Sequence, residues 1–258
     1  MQAYIAGITT DSDESWKGHK SIIVFFSGCN FKCSHCYNSD ILSFNEEFLT
    51  DTRAVKNRIL SENILFRPFD SVLFTGGEPT LQRQALLSIA RFSRKEGLKI
   101  RLETNCSKPE AIKSLLMENL LDSVMLDIKA PLEPMIFKMV TKSETFFKKT
   151  EEIMKDISET MRLLKDNDDS IEIDVKTKII PGIMYKREHI LQIAELINGL
   201  KCRWEIGLCE NADFSEVAKK PSLFYSTRYH SNEFLSETRH LKESIKEKFP
   251  DINVEVKF

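Results

Sequence analysis

Ser21-Ile22-Ile23-Val24-Phe25-Phe26-Ser27-Gly28-Cys29-Asn30-Phe31-Lys32-Cys33-Ser34-His35-Cys36 sets the pattern for the chain: a short apolar run, then a glycine, then side chains able to do chemistry. An apolar run of that length, stopped by a turn residue, reads as a β-strand. Comparable runs recur at 71–74 (SVLF), 99–102 (KIRL), 123–126 (SVML), 171–180 and 203–208 (RWEIGL), giving six candidate strands. Between them, residues 80–97, 109–119, 147–167 and 187–199 have helical spacing, and Gly97 closes the first of these as a helix stop. Strand and helix therefore alternate. Repeated βα units predict an α/β fold with a mostly parallel sheet and the helices outside it. Right-handed crossovers would curl six strands into a partial (β/α)6 open barrel rather than a closed eight-stranded one.

Residues 3–8 at the start, and a helix over 235–249 with a strand over 252–258 at the end, are expected to cap or extend that sheet. The acidic run 166–169 reads as a solvated turn before the fifth strand. No linker, low-complexity stretch or internal repeat interrupts the pattern. The expectation is one domain over 1–258, with a core at about 15–210 and a C-terminal extension over 211–258 acting as a cap or substrate-side element.

The chain has 258 residues, 41% hydrophobic and 29% charged, enough to bury a full core without a staple. With 37 basic and 39 acidic residues the formal charge is −2, so no global field draws it to nucleic acid or anionic lipid. No stretch approaches the roughly 20 apolar residues of a membrane span, and residues 1–16 lack the layout of a secretory signal, so a cytoplasmic protein is expected. Of the six cysteines, Cys29, Cys33 and Cys36 crowd together, while Cys106, Cys202 and Cys209 stand apart. In a reducing compartment that clustering reads as metal ligation.

The C-x3-C-x2-C spacing puts three thiolates on one tight loop. Structural zinc sites and electron-transfer cubanes normally take four protein ligands. Three thiolates on a [4Fe–4S] cube leave one iron open to chelate the amino and carboxylate groups of a small molecule and pass it an electron. A zinc site completed by His35 or by a distant cysteine such as Cys106 is the alternative. It fits less well, because compact zinc sites pair their ligands as well-separated couples. After the second strand comes Thr75-Gly76-Gly77-Glu78-Pro79. Two glycines let main chain approach a ligand closely, and a carboxylate pairs with an ammonium; taken alone the stretch is an ordinary turn before a helix. Glu103-Thr104 close strand three, Asp127 and Lys129 close strand four, and Pro181-Gly182 follow strand five. Parallel barrels carry their active sites at the C-terminal ends of the strands, so these residues are expected at one rim.

The two motifs together resemble the radical S-adenosylmethionine superfamily, whose C-x3-C-x-aromatic-C signature is matched with His35 in the aromatic position and whose GGEP motif is matched by Gly76, Gly77, Glu78 and Pro79. Over most of residues 15–185 the resemblance narrows to the activating enzymes of glycyl radical enzymes, such as those of pyruvate formate-lyase and anaerobic ribonucleotide reductase. It is carried by Phe25–Cys29, Cys36-Tyr37-Asn38, Glu103-Thr104-Asn105 and Met125-Leu126-Asp127-Ile128-Lys129, with Lys17 of Trp16-Lys17-Gly18 standing where the family has proline.

The resemblance implies a [4Fe–4S] cluster on Cys29, Cys33 and Cys36. It implies S-adenosylmethionine held by His35, by Gly76 to Pro79, and by Asp127 and Lys129. Lys176 stands where relatives carry an arginine; it can neutralise a carboxylate without the bidentate fork, or be a solvated edge lysine. Glu103, Thr104 and Met125 would surround a Na+ or K+ ion, and no catalytic side chain is expected beyond the cluster ligands. The implied partners are a flavodoxin- or ferredoxin-type one-electron donor and a protein bearing a glycine loop, from which the 5′-deoxyadenosyl radical takes a hydrogen. A radical enzyme modifying a small molecule, heterocycle or RNA nucleotide, and a non-catalytic iron–sulfur or zinc protein, are the alternatives. Gly207-Leu208-Cys209-Glu210-Asn211 departs from the ribonucleotide reductase activases. The aromatic-basic run 224–230 suits either a partner grip or a helix-docking surface.

Overall fold

A computed structural model describes residues 1–12, 15–33, 35–65, 69–143, 148–180, 182–209 and 237–257. The chain opens with β1 (Gln2–Ser12), which turns back antiparallel to β2 (Lys20–Phe26). Then come β3 (Leu49–Asp51), α1 (Thr52–Leu65), β4 (Ser71–Gly76), α2 (Arg83–Lys95), β5 (Lys99–Thr104), α3 (Pro109–Met117) and β6 (Ser123–Asp127). Two helices, α4 (Pro134–Thr141) and α5 (Thr150–Lys165), lead to β7 (Glu172–Ile179), followed by α6 (Arg187–Ile197), β8 (Cys202–Leu208), α7 (Leu241–Lys248) and β9 (Asn253–Lys257).

Among the described residues these strands form one sheet in the order β3-β1-β2-β4-β5-β6-β7-β8-β9. Along the sheet from β2 to β9 every pairing is parallel and the strands follow in chain order, except that β3, between β2 and β4 in sequence, lies at the far edge beside β1. Sequential order is what successive βα units produce when a parallel sheet curls into a barrel wall. The six expected strands are β2 and β4 to β8. The expected segment at 3–8 lengthens to β1, which with β3 adds an antiparallel flank at one edge. At the other edge β9 adds a parallel strand, preceded by α7 within the expected 235–249 helix, of which 235 and 236 lie outside the described residues.

Helix boundaries follow local chemistry. The helix expected from 80 begins as a 3-10 turn at Pro79–Gln82, because the Glu78 carboxylate takes the Thr80 N–H, and α2 starts only at Arg83. Its buried face, Ala85, Leu86, Ile89 and Ala90, packs on the sheet, and Gly97 at φ 79° ends the turn beyond it. Helices α1 and α4 were not anticipated; α1 buries Thr52, Val55, Ile59 and Glu62 among its described side chains, only two of them apolar, so no apolar stripe marks it.

The two faces of the wall differ. Ile100 and Leu102 of β5, Val124 and Leu126 of β6, Ile173 and Val175 of β7, and Trp204 and Ile206 of β8 belong to the apolar core under the helices. Each such side chain, fully buried, contributes about 1.5–3 kcal/mol. The alternate residues, Arg101, Met125, Asp174, Lys176, Arg203 and Glu205, line a groove on the concave face. At the N-terminal end of that face Arg101 donates to Asp174 (2.7 Å) and to Ser123 (2.8 Å), and Arg203 reaches the same carboxylate at 2.8 Å. Trp16, from the β1–β2 turn, spans this end: its indole N–H donates to Glu172 at 2.9 Å and its ring lies 5.7 Å from the Arg101 guanidinium carbon. These contacts knit the polar floor together below the rim where the strands finish.

Candidate active site

Residues 27–36 leave the C-terminal end of β2 as a loop held on several sides. Gly28 and Cys29 donate their N–H groups to Ile41 and Leu42 carbonyls at 2.8 and 2.9 Å, and the Lys32 N–H donates to the Thr141 carbonyl at 2.8 Å. Gly28 sits at φ 91°, a conformation that a side chain would resist. The loop brings the free thiols of Cys29, Cys33 and Cys36 to the wall of one cavity. Burial, then the nearby Glu78 carboxylate, pushes the Cys29 thiol up to about 12. Burial likewise pushes Cys33 up to about 12, against the pull of Lys129. Both therefore hold their protons until a cation arrives to stabilise the thiolates.

The donor set suits a multinuclear cluster. Three cysteines share the cavity, and a cubane would use them one per iron, with its fourth iron left for a small molecule. Cys106, at φ 68°, is buried and packed into the core, and neither it, Cys202 nor Cys209 lines the cavity. His35 does line it, 4% exposed, and burial followed by Lys129 lowers its pKa to about 4, so the imidazole is neutral.

The glycine turn after β4 packs directly on the cysteine loop. Gly77 N–H donates to the Phe26 carbonyl (2.8 Å) and Glu78 N–H to the Gly28 carbonyl (2.9 Å). A Cβ on Gly77 would collide with that Gly28 carbonyl. Gly76 and Gly77 line the cavity, whereas Glu78 and Pro79 are not among its lining residues. Glu78 is 1% exposed, and its carboxylate accepts from the Thr80 N–H (3.1 Å), the Thr80 hydroxyl, the Thr104 hydroxyl (2.9 Å) and the Asn105 N–H (2.7 Å). Burial raises its pKa, and those donors work the other way. The structure thus differs from the expected grip of Glu78 on a ligand ammonium: four protein donors occupy the carboxylate.

The other strand-end residues arrive at the cavity as expected. Glu103, Thr104, Met125, Asp127, Lys129 and Lys176 all line it. Glu103 accepts from the Thr75 hydroxyl at 2.5 Å. Lys129 sits 2.5 Å from Asp127; burial works against its charge, and Asp127 with Cys33 more than offsets this, so its pKa is raised. Pro181 and residues 210–211 and 224–230 lie outside the described residues, while Gly182 at φ 81° turns the chain after β7.

Among the lining residues given no role from sequence, Asn38 and Asn105 had carried only the family resemblance, and Lys178 had no part in the reading. Asn38 donates to the Gly76 carbonyl at 3.0 Å, bracing the turn from the cysteine loop. Asn105 donates to Asn30 at 3.1 Å and accepts from Ser107 at 2.6 Å, a ring that ties β5's end to the same loop. Lys178, two residues beyond Lys176, faces the same way, a placement that the period of two along β7 already contained.

The family model for the Radical SAM superfamily matches residues 23–197. A Methanocaldococcus jannaschii protein described as "Putative glycyl-radical enzyme activating enzyme" is 29% identical over 197 residues, 76% of this chain and 76% of that protein. The pyruvate formate-lyase-activating enzyme of Clostridium pasteurianum is 24% identical over 185 residues, covering 69% of this chain and 70% of its own. Among solved structures, TYW1 with a lysine-pyruvate adduct bound superposes with a TM-score of 0.57 at 13% identity, covering 91% of this chain and 76% of that one, which shows a shared fold.

Proposed function

Because the chain belongs to the radical S-adenosylmethionine superfamily, we propose that it is the activating enzyme of a glycyl radical partner. The observation that carries this reading is the meeting of three cluster-type cysteines with the main chain of Gly76 and Gly77 in one cavity at the strand ends. The named relatives, which align along most of this chain, point to the same activity.

When bound by Cys29, Cys33 and Cys36, a [4Fe–4S] cluster supplies the electron that splits S-adenosylmethionine into methionine and a 5′-deoxyadenosyl radical. The rest is positioning. Gly76 and Gly77, on the cavity wall, would offer bare main chain to the methionine amino group, and Lys176 would neutralise its carboxylate from β7. His35, with a neutral imidazole, would pack against the nucleoside, and Asp127 and Lys129 would hydrogen-bond it. Glu78 acts one layer back, fixing Thr104 and Asn105. Glu103, with Thr104 and Met125, is where a Na+ or K+ ion would lie, the carboxylate supplying the hard anionic oxygen. The apolar core outside the wall would keep water from that side of the radical, which takes a hydrogen atom from a glycine Cα. Glycine suits a deep approach because no side chain blocks it.

The test is anaerobic reconstitution with a flavodoxin- or ferredoxin-type donor and whichever protein co-purifies under anoxia, its glycines carrying deuterium at Cα. One deuterium should appear in 5′-deoxyadenosine as an organic radical appears in the partner by electron paramagnetic resonance. Unlabelled 5′-deoxyadenosine with no protein radical would reject the activase reading in favour of a small-molecule, heterocycle or nucleotide substrate.

A further inference from the structure

Strand β7 changes character along its concave face. Its lower carboxylates are paired: Glu172 accepts from Trp16, and Asp174 holds Arg101 and Arg203. Its upper half carries Lys176 and Lys178, both half-buried and both on the cavity wall. Neither has a hydrogen-bond or ion-pair partner among the described residues. Among the described residues, the acids nearest them already have other partners. Glu205 is held by Lys257 at 2.7 Å, Asp127 by Lys129 at 2.5 Å, and Glu103 accepts from Thr75.

Two lysines two positions apart on one strand face leave the backbone only about 7 Å apart, Cα to Cα. Like charges on neighbouring side chains repel; Glu205, opposite Lys176 in the β7–β8 register, answers part of that charge while also holding Lys257, and a further anion at Lys178 would answer the rest. The protein also makes room for the upper lysine. A Cβ at Gly207, across on β8, would lie 2.8 Å from the Lys178 ammonium nitrogen, and all three of its nearest atoms belong to that side chain. Gly207 is therefore the seat on which Lys178 rests. The cofactor has one carboxylate, which accounts for one lysine.

We propose that Lys178 holds an anionic oxygen group of the substrate, a carboxylate or phosphate presented beside the atom that loses hydrogen. This rests on the reading that the radical is made in this cavity. If the substrate is a glycine loop, the group is an aspartate or glutamate side chain next to the target glycine.

The test is isothermal titration of the reconstituted enzyme saturated with S-adenosylmethionine. One arm compares two hexapeptides, Ala-Ala-Glu-Gly-Ala-Ala and Ala-Ala-Gln-Gly-Ala-Ala; the other uses inorganic phosphate. A charge-assisted hydrogen bond predicts that the wild type prefers the glutamate peptide about 10- to 100-fold. Lys178→Met should erase that preference and Lys178→Arg should keep it. Gly207→Ala, which displaces the ammonium without removing it, should weaken it. If phosphate binds in a Lys178-dependent way and neither peptide binds, Lys178 keeps its role and the activase reading fails. Anion binding unchanged in Lys178→Met, or a fall in its S-adenosylmethionine affinity matching the loss, would overturn the proposal, the latter by assigning Lys178 to the cofactor. Iron content and melting temperature of each variant separate these outcomes from misfolding.

Discussion

Replacing Gly77 with alanine should dismantle the cluster site while leaving every metal ligand in place. The backbone there is not left-handed, so alanine carries no conformational penalty of its own, and the effect is steric. Its Cβ would drive into the Gly28 carbonyl and lie 3.3 Å from the Cys29 Cβ. Relief requires the turn to separate from the cysteine loop, losing Gly77 N–H to Phe26 and Glu78 N–H to Gly28. Two such hydrogen bonds contribute about 1 kcal/mol each, and the overpacking adds about 1–3 kcal/mol, for a total of about 3–5 kcal/mol. For a chain this size that lowers the melting temperature by about 10 °C. The shift of Gly28 moves Cys29, so iron per chain after anaerobic reconstitution should fall well below the wild-type value. Gly97→Ala is the control: φ is 79°, but nothing stands within 4 Å of the new Cβ. It should cost about 1 kcal/mol through backbone strain alone and leave iron content untouched. A Gly77→Ala protein with wild-type melting temperature and iron content would refute the contact argument.

Cys33→Ala should remove the brown chromophore and all cleavage of S-adenosylmethionine; retained cleavage would contradict the ligand assignment. Glu78→Gln leaves at least one donor facing an amide N–H2, so it should destabilise the protein by about 1–3 kcal/mol, read by chemical denaturation, with the loss present before any cofactor is added. An effect confined to cofactor affinity would instead return Glu78 to direct contact. In the cluster-free protein, alkylation of Cys29 and Cys33 by iodoacetamide, followed by mass spectrometry, should accelerate about tenfold per pH unit without levelling between pH 7 and 10, because both thiols titrate near 12. A plateau near pH 9 would mean that burial does not raise them. The same shift, from 9.0 unfolded to about 12 folded, favours the folded state's protonated thiols, so stability is intact below pH 9 and drains away as pH climbs from there towards 12.

Much of this was legible because the strands are short apolar runs whose ends carry the chemistry. The strand quoted first was expected at 21–26 and runs Lys20–Phe26, and the cysteines, glycines and Asp127–Lys129 follow their strands as the spacing required. Contacts between distant segments were hidden. Nothing in Glu78 announces that Thr104 and Asn105, 26 and 27 positions away, will surround it, and a motif alone makes its carboxylate look available. The KIRLET run of β5 reads as a strand, but that Arg101 turns into the concave face to meet Asp174 depends on a register between strands 73 residues apart. Helix α1 escaped notice because its apolar residues form no stripe, and Lys178 because a lone lysine on a strand resembles solvent-facing charge until its neighbours are known.

The tether from Trp16 to Glu172 joins residues 156 positions apart, and with them the first and fifth of the six central strands. An unclosed wall behaves as an arch whose span is free to widen unless its feet are tied, and this bond is such a tie. Its length fixes how far apart the legs stand, and so how far the metal-binding loop on one leg lies from the paired lysines on the other. A reaction that moves one hydrogen atom tolerates little error in that gap, which makes a tryptophan at the base of the molecule a setting screw for chemistry at its top.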